Sequence, residues 1–95
     1  MTDFETARAS IQALHTRFAD SLGDPGVFLR VEQGFEGRIH VYVVTPAFES
    51  HGHKWRSDHV WDVLEAGLPE ATLLRISLLF KLTPEEYDEL KPEAA

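Results

Sequence analysis

The stretch VFLRVEQGFEGRIHVYVVT, from Val27 to Thr45, decides the fold. In its first half Val27, Leu29 and Val31 fall on one face, and Phe28, Arg30 and Glu32 on the other. In its second half Ile39, Val41 and Val43 share a face, with His40, Tyr42 and Val44 opposite. A period of two over both halves predicts two half-buried strands, Val27 to Gln33 and Arg38 to Thr45. Gly34-Phe35-Glu36-Gly37 between them reads as a turn with two positions free to take positive φ, so the strands form an antiparallel hairpin. Pro46 ends the pairing.

Upstream, Phe4, Ala7, Ile11, Leu14, Phe18 and Leu22 recur at spacings of three and four. That predicts one helix from Asp3 to Leu22 with a single apolar face. Thr2 with Glu5 has the form of a capping box, and Gly23-Asp24-Pro25-Gly26 stops the helix. Downstream, Ala47 to Arg56 reads as a polar, irregular segment. Ser57 reads as the N-cap of a helix through Ala66 that buries Val60, Val63 and Leu64, closed by Gly67 and Pro69. Thr72 to Leu82 reads as a third strand, with Leu74, Ile76, Leu78, Phe80 and Leu82 on one face and Arg75, Ser77 and Lys81 on the other. Thr83-Pro84-Glu85-Glu86 opens a last helix: a cap, a proline at the first position and a glutamate placed for a capping box.

The order helix, strand, strand, helix, strand, helix is α+β. A crossover through a helix makes the third strand parallel to its neighbour. The expected architecture is a mixed three-stranded sheet with helices on one face. The open face is expected to carry Phe28, His40, Tyr42, Val44, Arg75 and Leu79, a mixture suited to a partner.

Val43-Val44-Thr45-Pro46-Ala47-Phe48-Glu49-Ser50, then Arg56-Ser57-Asp58, then Val60 and Leu64, then Leu82-Thr83-Pro84-Glu85-Glu86-Tyr87 stand in an order that resembles the BolA-like family. The fold of that family is related to type II KH domains. The resemblance covers residues 39 to 87, about half of the chain. It implies a BolA-like, KH-like fold and, as partner, a monothiol glutaredoxin with which a two-iron, two-sulfur cluster is shared. The sequence departs from the family pattern at the residues that carry this chemistry. Ser50 replaces the glycine after Phe-Glu, Ser57 stands where the family has its cluster-ligating histidine, and Asp58 replaces the second arginine. The hairpin turn, where the family often supplies another ligand, has no His or Cys. A cluster role would fall to a different histidine, with His59 the nearest.

The chain has 95 residues, enough for one domain, read as residues 1–91 with 92–95 as a frayed tail. Nine Lys and Arg against sixteen Asp and Glu give a net charge of −7. This opposes phosphate-driven binding of nucleic acid. The KH-type alternative meets a second obstacle. Gly23-Asp24-Pro25-Gly26 and Gly34-Phe35-Glu36-Gly37 both carry an acid, and neither lies between the middle helices. The absence of cysteine excludes a disulfide framework, a thiolate zinc site and a Cys nucleophile. The N-terminus lacks the charged and apolar regions of a secretory signal, and no apolar run reaches membrane length. The expectation is a cytoplasmic protein without a membrane partner.

Two constellations remain. His51-Gly52-His53 with His59 offers three imidazoles for zinc or another divalent metal. Phe48, Trp55 and Arg56 offer aromatic and guanidinium groups of the kind that anchor protein partners. No serine has a nucleophile-elbow context, so the reading is non-enzymatic. The edge strand and the open sheet face supply surfaces for a homodimer.

Overall fold

The computed structural model describes residues 3–90. The expected Thr2 cap and the tail at 92–95 lie outside the described residues. The elements are α1 (Asp3–Gln12), α2 (His15–Leu22), β1 (Phe28–Gln33), β2 (Ile39–Val44), α3 (His53–Gly67), α4 (Glu70–Leu73), β3 (Ile76–Leu82) and α5 (Pro84–Leu90). Short 3-10 turns at Phe35–Gly37 and Pro46–Ser50 flank β2. The sheet has the order β1-β2-β3, antiparallel between β1 and β2 and parallel between β2 and β3. The mixed α+β architecture and the hairpin are as the alternation predicts. Phe28 pairs with Val44, Arg30 with Tyr42 and Gln33 with Ile39.

The inner face buries Val31, Ile39, Val41 and Val43 against Ile11, Phe18, Val60 and Leu64. Each such side chain contributes roughly 1.5–3 kcal/mol of transfer free energy. Gly23 caps α2 with φ 69°, a left-handed conformation that suits glycine, and its N–H bonds the Ala19 carbonyl.

Five features differ from the sequence reading. The single N-terminal helix is divided. The Leu14 N–H bonds Ile11 O, a step of three rather than four, and α2 starts afresh at His15. No proline or glycine marks this break. Beside it Leu14 packs on Gly67, where an added Cβ would meet Leu14 Cδ2 at 2.4 Å. Second, α3 begins at His53 on Gly52, one turn before Ser57. Third, β3 begins at Ile76 rather than Thr72. Glu70–Leu73 is helical, and Leu74 is 70% exposed.

Fourth, the faces of β3 are exchanged beyond its first residue. Ile39 pairs with Ile76, but His40 pairs with Leu78, so Ser77 is an extra residue in a bulge. One residue of slip turns every later side chain over. Leu79 joins the core beside Val41, while Leu78, Phe80 and Leu82 share the open face with His40, Tyr42 and Val44. Lys81 is turned inward beside Val43. Fifth, the open face is not free of helices. Tyr87 of α5 lies over it, with ring centroids 5.7 Å from Phe28 and 5.9 Å from Tyr42.

Candidate functional site

The segment after β2 is ordered by backbone and side-chain bonds that no local pattern announces. Thr45 is fully buried. Its hydroxyl donates to Asp24 Oδ2 at 2.6 Å and accepts from the Ala47 N–H at 3.1 Å. The second bond caps the 3-10 turn that opens on Pro46. This turn carries Phe48 into the core, where it is fully buried. Phe48, expected as a partner contact, is the floor under Trp55, with rings edge-to-face at 6.5 Å and 80°.

Arg56 binds the segment together. Its Nε donates to His51 O at 3.0 Å, and its Nη2 to Phe48 O at 2.8 Å. Its Nη1 donates to Lys81 O at 2.9 Å and to Glu86 Oε1 at 2.8 Å. The guanidinium carbon lies 5.2 Å from the Phe48 ring centroid. One planar fork joins the 3-10 turn, the end of β3 and the start of α5, a geometry suited to arginine and not to lysine. The side chain is 14% exposed, so most of its donors are engaged within the fold.

Trp55 stands above this base, half-buried, in the first turn of α3. His51 stacks on it with centroids 3.5 Å apart and planes at 7°. His59, one turn along α3, stacks on it at 3.8 Å and 22°. Two rings so close to one centroid cannot share a side of the indole, so the order is His51–Trp55–His59. His59 Nδ1 donates to the Trp55 carbonyl at 2.9 Å, which fixes its ring. The three histidines read as metal ligands therefore do not converge. The indole separates His51 from His59, and His53 lies at the exposed helix start. Among the described residues no three His, Asp or Glu side chains are arranged to hold a metal ion. The residues present thus do not fit the zinc or other divalent metal that the sequence suggested.

The start of α5 follows its sequence signature. Thr83 N–H donates to Glu86 Oε1 at 2.8 Å, and Glu86 N–H to Thr83 Oγ1 at 3.2 Å. The Thr83 N–H first, then the Arg56 guanidinium, hold the Glu86 carboxyl below its ordinary value of 4.5. A carboxyl with a depressed folded-state pKa stabilises the fold above its unfolded pKa, and that contribution is lost as pH falls through the folded value. Glu86→Gln keeps an acceptor for the Thr83 N–H and loses only the charge, so it is expected to cost up to about 1 kcal/mol at neutral pH, the ion pair being partly exposed. The gap between the two chains should close below the carboxylate range. Thermal melts across pH measure this, and a gap that persists in acid would show that charge is not its source.

The open sheet face is aromatic. Tyr42 and Phe80 stack at 4.7 Å and 15°, and Arg30 lies 5.8 Å from the Tyr42 ring. Arg30 Nη1 donates to Tyr87 Oη at 2.8 Å and pairs with Glu32. Burial, then Glu32, pushes the Tyr42 phenol up. At the β3 edge, burial pushes the inward Lys81 ammonium down. An inward charge on an edge strand opposes the addition of another strand, because pairing would bury it further. Among the described residues no helix is long and apolar enough to cross a membrane. Comparison of the chain with protein-family models, with curated proteins and with solved structures finds no match.

Proposed function

We propose that this chain is a small non-enzymatic interaction domain of BolA-like type whose partner contact centres on Trp55. The observation that carries the reading is the three-ring stack of His51, Trp55 and His59. Stacking leaves the indole little rotamer freedom to lose on association, and partner hot spots favour such a pre-organised Trp. Phe48 and Arg56 contribute as the base that holds the indole rather than as the contacting atoms. By the resemblance, the partner is a monothiol glutaredoxin. A shared cluster is the weaker part of that resemblance, because Ser57 stands where the family has its histidine and the chain has no thiolate.

The test is co-expression of the full chain with a monothiol glutaredoxin, beside a Trp55→Ala chain checked for a dispersed amide spectrum. Co-purification with the parent chain and not with Trp55→Ala supports the reading. No co-purification removes the glutaredoxin. An identical set of captured proteins from lysate for parent and Trp55→Ala removes the Trp55 surface altogether.

A further inference from the structure

A groove of about 490 Å³ opens at the other end of β2 from Trp55, beside the hairpin turn. It is lined by Gln33, Gly34, Phe35, Arg38, His40 and Ser77. Its volume falls within the range of small-molecule sites. Two departures from regular geometry lie at or beside it, the hairpin turn and the β3 bulge. Glu36 takes φ 55° and ψ 41°, a left-handed conformation that is costly for a side chain other than glycine. It sits between Phe35, which is 90% exposed, and Gly37 at φ 77°. Gly34 keeps extended backbone that any residue adopts, with φ −101° and ψ −165°. Its lack of a side chain serves His40 instead: an added Cβ would lie 2.6 Å from His40 Nε2. The β3 bulge places Ser77 on the far side of the same groove. Bulges of this kind re-aim side chains beside binding sites. Local backbone strain and bulges are both enriched beside functional sites.

The lining is one-sided in charge. Arg38 and His40 contribute nitrogen donors and no carboxylate is among the lining residues, while Asp3 and Glu36 line a neighbouring depression that shares Arg38. The Phe35 ring supplies an apolar wall exposed to solvent. We propose that this groove binds a small aromatic carboxylate, its ring against Phe35 and His40 and its carboxylate on the Arg38 guanidinium. A guanidinium fork matches a carboxylate in two parallel bonds, and an exposed aromatic ring offers a stacking surface of suitable size. The inference does not depend on the Trp55 surface.

The test is an amide-resolved NMR titration of the full chain with benzoate, phenylacetate and indole-3-acetate, each beside its uncharged amide. Saturable shifts confined to residues 33–40 and 77–78, with dissociation constants of about 1 mM or tighter, are expected for at least one acid. Its amide should bind about tenfold more weakly, and Arg38→Gln should weaken the acid by a similar factor. Gly34→Ala, compatible with the backbone there, should displace the His40 ring and weaken binding while the hairpin cross-peaks stay dispersed. No saturable shift with any acid overturns the proposal. Equal response to acid and amide, or undiminished binding by Arg38→Gln, overturns it as well.

Discussion

Arg56→Met is expected to destabilise the protein by about 3 kcal/mol, a large share of the roughly 5–15 kcal/mol that a domain of this kind holds. Four hydrogen bonds from one guanidinium are lost, three of them to backbone carbonyls of Phe48, His51 and Lys81. Those carbonyls lie under a side chain only 14% exposed, so water replaces the donor incompletely. Glu86 loses its cation but keeps the Thr83 N–H, which limits the cost at that end. Arg56→Lys keeps the charge and loses the fork. It should recover less than half of the loss, since an ammonium on a flexible stem cannot reach acceptors on three elements together. Urea unfolding followed by circular dichroism measures both, and the midpoint should fall with an unchanged slope. A loss below about 1 kcal/mol for Arg56→Met would place Arg56 among ordinary surface ion pairs and would remove it as the organiser of the site.

Phe48→Ala is expected to cost about 4 kcal/mol, in the range for a fully buried phenylalanine. The ring fills the space beneath Trp55 and carries the Arg56 guanidinium on its face. Its removal leaves a cavity that neither neighbour can fill without giving up a stack or a hydrogen bond. The near-ultraviolet dichroism of Trp55 should therefore weaken in step with stability, with a Trp61→Phe background isolating the signal. Phe48→Leu should cost less, because most of the volume is kept. Arg56 and Phe48 touch, so the double substitution should cost less than the sum of the two singles. Full additivity would mean that the two residues act on separate parts of the fold. A partner site built on this base would then lose its physical rationale.

These two residues also show where reading a sequence stops. Both lie in 46–56, which has neither a period of two nor a period near 3.6, so the segment reads as an irregular polar loop. The structure organises it through Thr45, whose hydroxyl bridges Asp24 and Ala47, and through Arg56, whose acceptors lie up to 30 residues away. Ser57 is a plausible cap by residue type. The helix nevertheless starts at His53, where the Arg56 network and the ring stack on Trp55 hold the first turn. Of the candidate site, residue types and neighbourhood were legible. Which side chain is base, which is surface and which is neither was not, because stacking and hydrogen bonding depend on relative placement in space.

What the sequence by itself determined is what depends on near neighbours along the chain. The hairpin follows from two alternating runs around a glycine turn, and its register emerges as the pattern requires. The left-handed Gly23 cap and the Thr83–Glu86 capping box involve residues a few positions apart. The parallel placement of β3 follows from the crossover geometry. The tertiary structure alone decided the break at Leu14, which settles on the bare backbone of Gly67, and the outward turn of Leu78, Phe80 and Leu82. That last feature hangs on one bulged residue, Ser77. Alternation specifies two faces but not which of them meets the core. The packing of Val41 against Leu79 and of Tyr42 against Phe80 makes that choice, and both contacts join residues nearly forty positions apart.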